Sequence, residues 1–240
     1  NLRENNRVSR PQTIVVIPTF NEAENLRRII PPLLDLSLHI LIVDDASRDG
    51  TAQVAKELGA ATGLVEVLER PGKLGLGSAY RDGFAKALRA GFTTIIQMDA
   101  DGSHRVEDLP SLIAAIKPGR SITLGTRWMP GGKVINWPKS RQLLSKTGTK
   151  FAKFALQMDL NDLTGGYRIY SAELLNALNL KDMQATGYCF QIEITKKILA
   201  KNGSISELPI TFVERKFGVS KMSLRIVLEA VVRVTLWGFT

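Results

Sequence analysis

The chain has 240 residues and 44% hydrophobic content, enough to bury a core as one large domain or one domain with an appendage, which excludes disorder as its default state. Its net charge of +9 is uneven: residues 1–120 hold 15 basic and 15 acidic side chains, residues 121–240 hold 17 and 8, so the second half should face something anionic. Nucleic acid is set aside, because basic and aromatic residues are not interleaved there and no zinc-finger or RNP-like pattern occurs, which leaves phospholipid or a phosphorylated substrate.

The sequence begins at Asn1 rather than Met, without a charged head and apolar signal core, and reads as a piece cut from something longer. Thr13 to Ile17 reads as a first strand, and Glu22 to Leu34 as a helix capped by Asn21 and running into Pro31-Pro32. His39 to Val43 is a second strand, followed by a helix from Thr51 to Leu58 that Gly59 stops. Leu64 to Leu68 is a third strand, Ser78 to Ala90 a helix stopped by Gly91, and Thr94 to Met98 a fourth strand. Apolar runs bounded by turn residues and separated by helices predict a mostly parallel sheet flanked by helices, an α/β domain of the Rossmann-like kind.

The second half is less regular. Arg127 to Pro138, rich in Gly, Trp and Pro, reads as a long, mobile lid loop. From Arg141 to Met158, helical periodicity puts Leu144, Thr147, Phe151, Phe154, Ala155 and Met158 on one face and Lys146, Lys150 and Lys153 opposite. That basic face is either solvated or a lipid-headgroup contact. Leu224 to Phe239 reads as a mostly apolar helix with Arg225, Glu229 and Arg233 on one stripe: a core-packed end, a membrane-surface helix or a truncated anchor.

In sheets of this kind, ligands bind beyond the carboxyl ends of the strands. Those ends read Pro18-Thr19-Phe20-Asn21-Glu22, Asp44-Asp45-Ala46-Ser47, Arg70-Pro71-Gly72-Lys73 and Asp99-Ala100-Asp101. Asp49, before Gly50-Thr51, is expected to cap a helix. Capping does not account for Asp44-Asp45 and Asp99-Asp101 at one rim, where like charges repel unless a cation or substrate donors compensate them. The Asp99-x-Asp101 pair suits Mg²⁺ or Mn²⁺, which commonly take one or two carboxylates and leave substrate phosphates to complete the shell. Cys/His metal chemistry is unsupported, since His39 and His104 are the only histidines and Cys189 the only cysteine. That lone thiol also excludes an intramolecular disulfide and fits a reducing compartment. The stretch from Gly72 to Ala79 is not a P-loop, because Val67 and Leu74 break the pattern, nor a dinucleotide fingerprint, because Tyr80 replaces the third glycine. A serine-hydrolase elbow is absent too.

The blocks VIPTFNEAENL, LIVDDASRDGT, LGLGSAYRDGF, MDADGSH, LGTRW, DLTGGYRIY and ERKFGVSKMS, in this order, resemble family 2 glycosyltransferases of GT-A fold. Within that family they look like the polyprenyl-phosphate (dolichyl-phosphate) mannose synthases. The resemblance runs from about Thr13 to Met222; its first four blocks are widely shared, and TGGYR and RxxGxSK are the more specific. It implies a GT-A domain over residues 1–222 and an amphipathic, membrane-associated helix over residues 223–240.

By the same resemblance Pro18, Phe20, Glu22, Val43 and Asp45 hold the nucleoside, with Phe20 standing where Tyr is commoner. Asp99 and Asp101 hold the metal, Mg²⁺ or Mn²⁺, and Met98 and Ala100 line the site. In some relatives a Gln two residues past the second Asp also reaches the metal; here Ser103 stands there. Arg127, Arg141, Ser145, Arg215 and Lys221 grip donor and acceptor phosphates, a task suited to guanidinium forks and a mobile ammonium. Asp101 and Arg127 carry the catalytic roles. The implied reaction is inverting transfer of mannose from GDP-mannose to a polyprenyl phosphate, without a catalytic base, since a phosphate of second pKa about 6 arrives ionised. It takes place at the cytoplasmic face of a membrane, on an anionic surface, with any anchoring domain or subunit outside this chain. Three alternatives stay open: a polyprenyl-phosphate glucosyltransferase using UDP-glucose, a family 2 transferase with a hydroxyl acceptor, and a non-catalytic nucleotide-binding membrane module. A sugar nucleotidyltransferase would need a Gly-rich basic loop after the first strand, which PTFNE is not.

Overall fold

The computed structural model describes residues 13–183, 185, 189–215 and 224–238. Strand β1 (Thr13–Thr19) is a nearly continuous apolar run covered on both faces, the mark of a central strand. It pairs in parallel with β2 (His39–Asp44) on one side and β4 (Thr94–Gln97) on the other, and β3 (Val65–Glu69) lies parallel beyond β2. Helices α1 (Ala23–Asp35), α2 (Thr51–Gly59) and α3 (Leu76–Arg89) make the crossovers. The chain therefore moves outward from β1 to β3 and then returns to the other side of β1. This reversal opens a crevice beyond the carboxyl ends of β1 and β4, where open α/β sheets bind ligands. Every element expected in this half is present, with ends shifted by one or two residues.

One local expectation changes. Asn21 does not cap α1; Glu22 occupies that position, and Asn21 adopts a left-handed conformation (φ 57°). From there its N–H donates to Ser47 Oγ (2.8 Å) and its Oδ1 accepts from the Arg48 N–H (2.9 Å), joining the end of β1 to the loop after β2. Pro31 and Pro32 lie inside α1, as the expected span to Leu34 requires. The carbonyls they leave without helical donors belong to Arg27 and Arg28, both on the exposed side. Asp49 serves two helices at once, accepting the Thr51 N–H on Oδ1 and the Ala23 N–H on Oδ2, both at 3.1 Å.

In the second half α4 (Leu109–Ala114) leads into β5 (Ser121–Thr126). Strand β7 (Arg168–Ser171) inserts antiparallel between β4 and β5, and β8 (Ser204–Pro209) pairs in parallel with the far side of β5. The sheet order is β3-β2-β1-β4-β7-β5-β8, a mostly parallel α/β sheet with one reversed strand. Along β1, Val15 and Ile17 enter one apolar layer with Leu26 and Ile30 of α1, while Ile14 and Val16 enter the other with Tyr80 and Phe84 of α3. Helices α6 (Ala172–Ala177) and α7 (Cys189–Ala200) join the second layer through Leu174, Phe190 and Ile194.

The lid expectation is corrected. Within Arg127–Pro138, β6 (Lys133–Ile135) pairs in parallel with β9 (Thr211–Val213), and Trp137 is buried against Phe212. The segment is pinned by a ladder and an aromatic contact.

The face assigned to the following helix, α5 (Lys139–Leu156), is corrected in part. It buries Thr149 and Ala152, whereas Leu144 and Phe154 are exposed, Phe154 at 85%. Phe151, Ala155 and Met158 of the expected face do pack on the core, and Leu144, Ser145, Gly148, Phe151 and Ala152 line the cavity beneath the helix. Helix α8 (Leu224–Gly238) packs on α5 and α7. A Cβ on Gly238 would stand 2.5 Å from the Ala155 carbonyl oxygen, so this glycine permits the close approach. Val234 of α8 faces inward and Val232 and Leu236 outward, while the side chains of Arg225 and Glu229 lie outside the described residues. Among the described residues no helix is long and apolar enough to cross a membrane.

Candidate active site

Past the end of β4, alternate side chains part company. The side chains of Met98 and Ala100 turn into the apolar layer beneath, packed with Ile17, Leu26 and Ile29. Asp99 and Asp101 line a cavity of about 170 Å³. Arg127, Thr164, Gly166 and Arg215 share its polar end, and Gly148, Phe151 and Ala152 of α5, Ile192 of α7 and Val231 and Val234 of α8 extend it as an apolar passage.

Each carboxylate is held before any ligand arrives. Asp99 Oδ1 accepts the Tyr80 hydroxyl (2.8 Å), and the Asp99 N–H donates to His104 Nδ1 (3.1 Å). Burial, helped by the Asp99 charge, pushes the Tyr80 phenol well above its usual 10, so it stays a donor. Burial also outweighs the neighbouring aspartates and lowers His104 below 6.5. His104 is therefore neutral, and because Nδ1 accepts, its proton sits on Nε2. Asp101 Oδ1 accepts the Ser103 N–H (3.0 Å) and Oδ2 pairs with Arg215 (3.0 Å). A Cβ on Gly166 would stand 3.2 Å from Asp99 Oδ2, so only glycine leaves that oxygen room without a shift.

These residues fit a hard divalent cation completed by substrate. They offer two carboxylates, with the buried, unpartnered Ser103 hydroxyl close by in the same turn, and no histidine nitrogen is available because His104 Nδ1 is occupied. Among the described residues no group of three or more His, Cys, Asp or Glu side chains is placed to hold a metal by itself. The single acidic rim anticipated from sequence is also corrected. Asp44 accepts the Thr19 hydroxyl (2.8 Å) and the Ser47 N–H and hydroxyl (2.9 and 2.6 Å). Asp45 pairs with Arg70 (2.5 Å) and accepts the Leu74 and Gly75 N–H groups (both 3.1 Å). Strand β1 separates them from β4, and each acid has its own compensation.

Opposite the carboxylates stand the basic side chains. Arg127 is 7% exposed and forks onto Asp162 through Nε (2.6 Å) and Nη2 (2.9 Å), with Nη2 also reaching Thr164 Oγ1 (2.8 Å). The rings of Trp128, Trp137 and Phe212 surround it at 5.4, 5.3 and 5.2 Å. Burial opposes the charge of Asp162, yet the Arg127 guanidinium and hydrogen bonds from Arg127 and Thr164 prevail and hold its carboxyl below the usual 3.8. Arg141 donates to both oxygens of Glu214 (2.8 and 2.6 Å) over the Trp137 ring (4.3 Å). Arg215 Nε lies 3.8 Å from Glu214, so Arg141, Glu214, Arg215 and Asp101 form a chain of alternating charge. Ser145 accepts from Trp128 Nε1 (3.3 Å) on the cavity wall. Beneath, the fully buried Arg168 donates to the carbonyls of Leu163, Gly165 and Gln191 and to Thr195, locking the loop that carries Thr164 and Gly166.

The expected nucleoside residues gather on an adjoining ledge outside this cavity. Pro18 and Val43 are cross-strand partners at the ends of β1 and β2, with Phe20, Glu22 and Asp45 just beyond. Lys73 Nζ covers the Phe20 ring at 4.1 Å. Lys221 lies outside the described residues. Sequence reasoning passed over Tyr80, His104, Asp162, Gly166 and Glu214. Each sits inside or beside a block already singled out, but, His104 apart, its partner is remote in sequence, as with Arg127 and Asp162.

Several known proteins resemble this chain. A model of "Glycosyl transferase family 2" matches residues 14–178. A "Polyprenol monophosphomannose synthase" of Mycolicibacterium smegmatis is 44% identical over 230 residues, 95% of this chain and 87% of the relative. An "Undecaprenyl-phosphate mannosyltransferase" of Micrococcus luteus is 44% identical over 229 residues, 95% of this chain and 94% of the relative. Among solved structures, glucosyl-3-phosphoglycerate synthase from Mycobacterium tuberculosis, complexed with Mn²⁺, UDP and glucosyl-3-phosphoglycerate, superimposes with TM-score 0.65 at 18% identity, covering 95% of this chain and 80% of the other. A mannosyltransferase from Pyrobaculum calidifontis with GDP-Man and Mn²⁺ gives 0.60 at 19%, covering 97% and 64%. The structural likeness establishes the GT-A-like fold, and the family model spans β1 through α6 with both aspartates of the site; the chain belongs to glycosyl transferase family 2 and is a glycosyltransferase.

Proposed function

We propose that this chain transfers mannose from GDP-mannose to a polyprenyl phosphate with inversion, giving polyprenyl-phosphate mannose and GDP. The observation that carries this reading is the two-ended cavity: carboxylates and guanidinium groups at one end, an apolar passage between α5, α7 and α8 at the other. An acceptor with a phosphate head and an isoprenoid tail matches both ends at once. The names of the two relatives point the same way.

In this reading Pro18, Phe20, Glu22, Val43 and Asp45 receive the nucleoside, with carboxylates facing ribose hydroxyls and base N–H donors. Asp99 and Asp101 would hold Mg²⁺ or Mn²⁺, which supplies Lewis-acid stabilisation of the departing diphosphate. Arg215, Arg141, Ser145, Arg127 and Lys221 bring two anionic phosphates together, a positioning task whose cost falls as their charges are screened. The acceptor phosphate is already ionised near neutral pH, so Asp99 and Asp101, the carboxylates lining the cavity among the described residues, need not act as bases.

Outside, α5 exposes Leu143 and Phe154 beside Lys146 and Lys150, and α8 exposes Val232 and Leu236. Apolar side chains interleaved with lysines suit an anionic bilayer surface. We place the chain at the cytoplasmic face of a membrane, peripheral or anchored by a domain or subunit outside these residues, with residues 223–240 as the membrane-associated appendage to a catalytic unit of residues 1–222.

Incubation with GDP-mannose, Mn²⁺ and a short polyprenyl phosphate should move mannose into the organic phase. No lipid-linked mannose from protein shown to bind both substrates would overturn the reading, and preferential transfer from UDP-glucose would replace mannose with glucose.

A further inference from the structure

Asp99 and Asp101 are braced differently: Asp101 is buried and engages the Ser103 N–H and Arg215, whereas Asp99 is half-buried and rests on two aromatic residues. Its carboxylate takes the Tyr80 hydroxyl at 2.8 Å, and its main-chain N–H ends on His104 Nδ1 at 3.1 Å. Both partners are immobilised by rings. Tyr80 stacks between Phe84 (5.7 Å between centroids) and Phe190 (6.0 Å). His104 lies flat on Tyr167 (4.6 Å, 7° between planes) with the edge of Phe212 at 5.5 Å. Neither Tyr80 nor His104 is among the cavity-lining residues, so their reach to the site runs through Asp99.

A carboxylate rotates readily about its terminal bond, and a ligand that must be oriented on binding loses affinity. With Oδ1 occupied by the phenol, the carboxylate plane is fixed and Oδ2 is the less engaged oxygen. The His104 bond closes the five-residue span from Asp99 to His104 and keeps Asp101 beside Asp99. We propose that Tyr80 and His104 are positioning residues that set the affinity of the site for its divalent cation, Tyr80 by fixing the Asp99 carboxylate and His104 by fixing its main chain. This rests on the reading of Asp99 as a metal ligand.

The test is Mn²⁺ titration of the full chain in the presence of GDP, followed by electron paramagnetic resonance, which needs neither sugar nor acceptor. Tyr80→Phe keeps both ring stacks and deletes one hydroxyl; it should weaken Mn²⁺ binding by about 10-fold or more. His104→Leu should weaken it by about 10- to 100-fold. His104→Asn, whose Oδ1 can take the place of Nδ1, should restore affinity close to that of the unaltered chain, a rescue that general destabilisation would not produce. Unaltered Mn²⁺ affinity in Tyr80→Phe and His104→Leu overturns the inference and leaves the proposed function standing. His104→Asn as weak as His104→Leu overturns the part assigned to His104. Absence of Mn²⁺ binding by the unaltered chain overturns the metal reading and this inference together.

Discussion

Replacing Asp101 with alanine is expected to lower mannosyl transfer at saturating Mn²⁺ and GDP-mannose by at least about 100-fold while the chain stays folded. Loss of a direct ligand should exceed the loss from a residue that merely supports one. The fold should survive because Asp101 is replaceable as a counter-ion. Arg215, which pairs with it at 3.0 Å, already has Glu214 within 3.8 Å. Asp101→Asn would keep an acceptor for the Ser103 N–H and lose only the charge, so a comparable loss there would assign the effect to charge. Wild-type turnover in Asp101→Ala, measured by release of GDP, would remove Asp101 from the catalytic machinery.

Asp162→Ala should be the most destabilising change at the site, by about 3–5 kcal/mol in urea unfolding. The pair it breaks is fully desolvated, with side-chain exposures of 6% for Arg127 and 0% for Asp162. Alanine would leave a buried guanidinium facing three aromatic rings and the Thr164 hydroxyl, none of which carries a compensating charge. The pH dependence has a definite sign. The folded-state pKa of Asp162 is depressed below 3.8, so its contribution is complete above that value and is lost as pH falls through the folded pKa. The unaltered chain should therefore lose this increment only in strong acid, and Asp162→Ala should lack it throughout. A loss below about 1 kcal/mol, the range of exposed pairs, would mean the pair is not buried as described.

How far the sequence reached depended on whether the signal was local. Strands β1, β2 and β4 are mostly apolar runs and β3 alternates Val65 and Val67 with Glu66, each bounded by turn residues, so their positions and the crevice beyond them were legible. Strand β7 was not, because four residues, Arg168 to Ser171, carry no periodicity that separates them from a loop, and their antiparallel insertion is a matter of topology. The ladder of β6 with β9 joins three-residue strands far apart in sequence, so Arg127–Pro138 read as a free loop. Helix α5 was legible in part: Phe151, Ala155 and Met158 pack inward as the periodicity predicts, but Phe154 points outward, because the inner face also borders a cavity lined by Ser145, Gly148 and Ala152. Asp99 and Asp101 were legible as charges at a buried strand end. Arg215 was named by resemblance as a phosphate grip, but its pairing with Asp101 and the support from Tyr80 were not legible, since nothing in the spacing connects position 215 to 101 or position 80 to 99; His104, in the same block, showed only as a histidine.

The central claim is that the lipid acceptor enters the cavity whose polar end receives the donor phosphates. Gly148 tests it most directly, because it lines that cavity on α5 and a Cβ added there meets nothing within 4 Å. A mid-helix glycine is about 0.5–1 kcal/mol less stable than alanine, so a side chain here does not cost the helix its fold and can obstruct the passage without unfolding the chain. For Gly148→Trp, the measurement is the KM for polyprenyl phosphate alongside the Kd for GDP-mannose with Mn²⁺. The account predicts a rise in acceptor KM of about 10-fold or more, a loss of about 1.4 kcal/mol of acceptor binding, with donor affinity unchanged. Unchanged acceptor kinetics, or a loss confined to the donor, would contradict it.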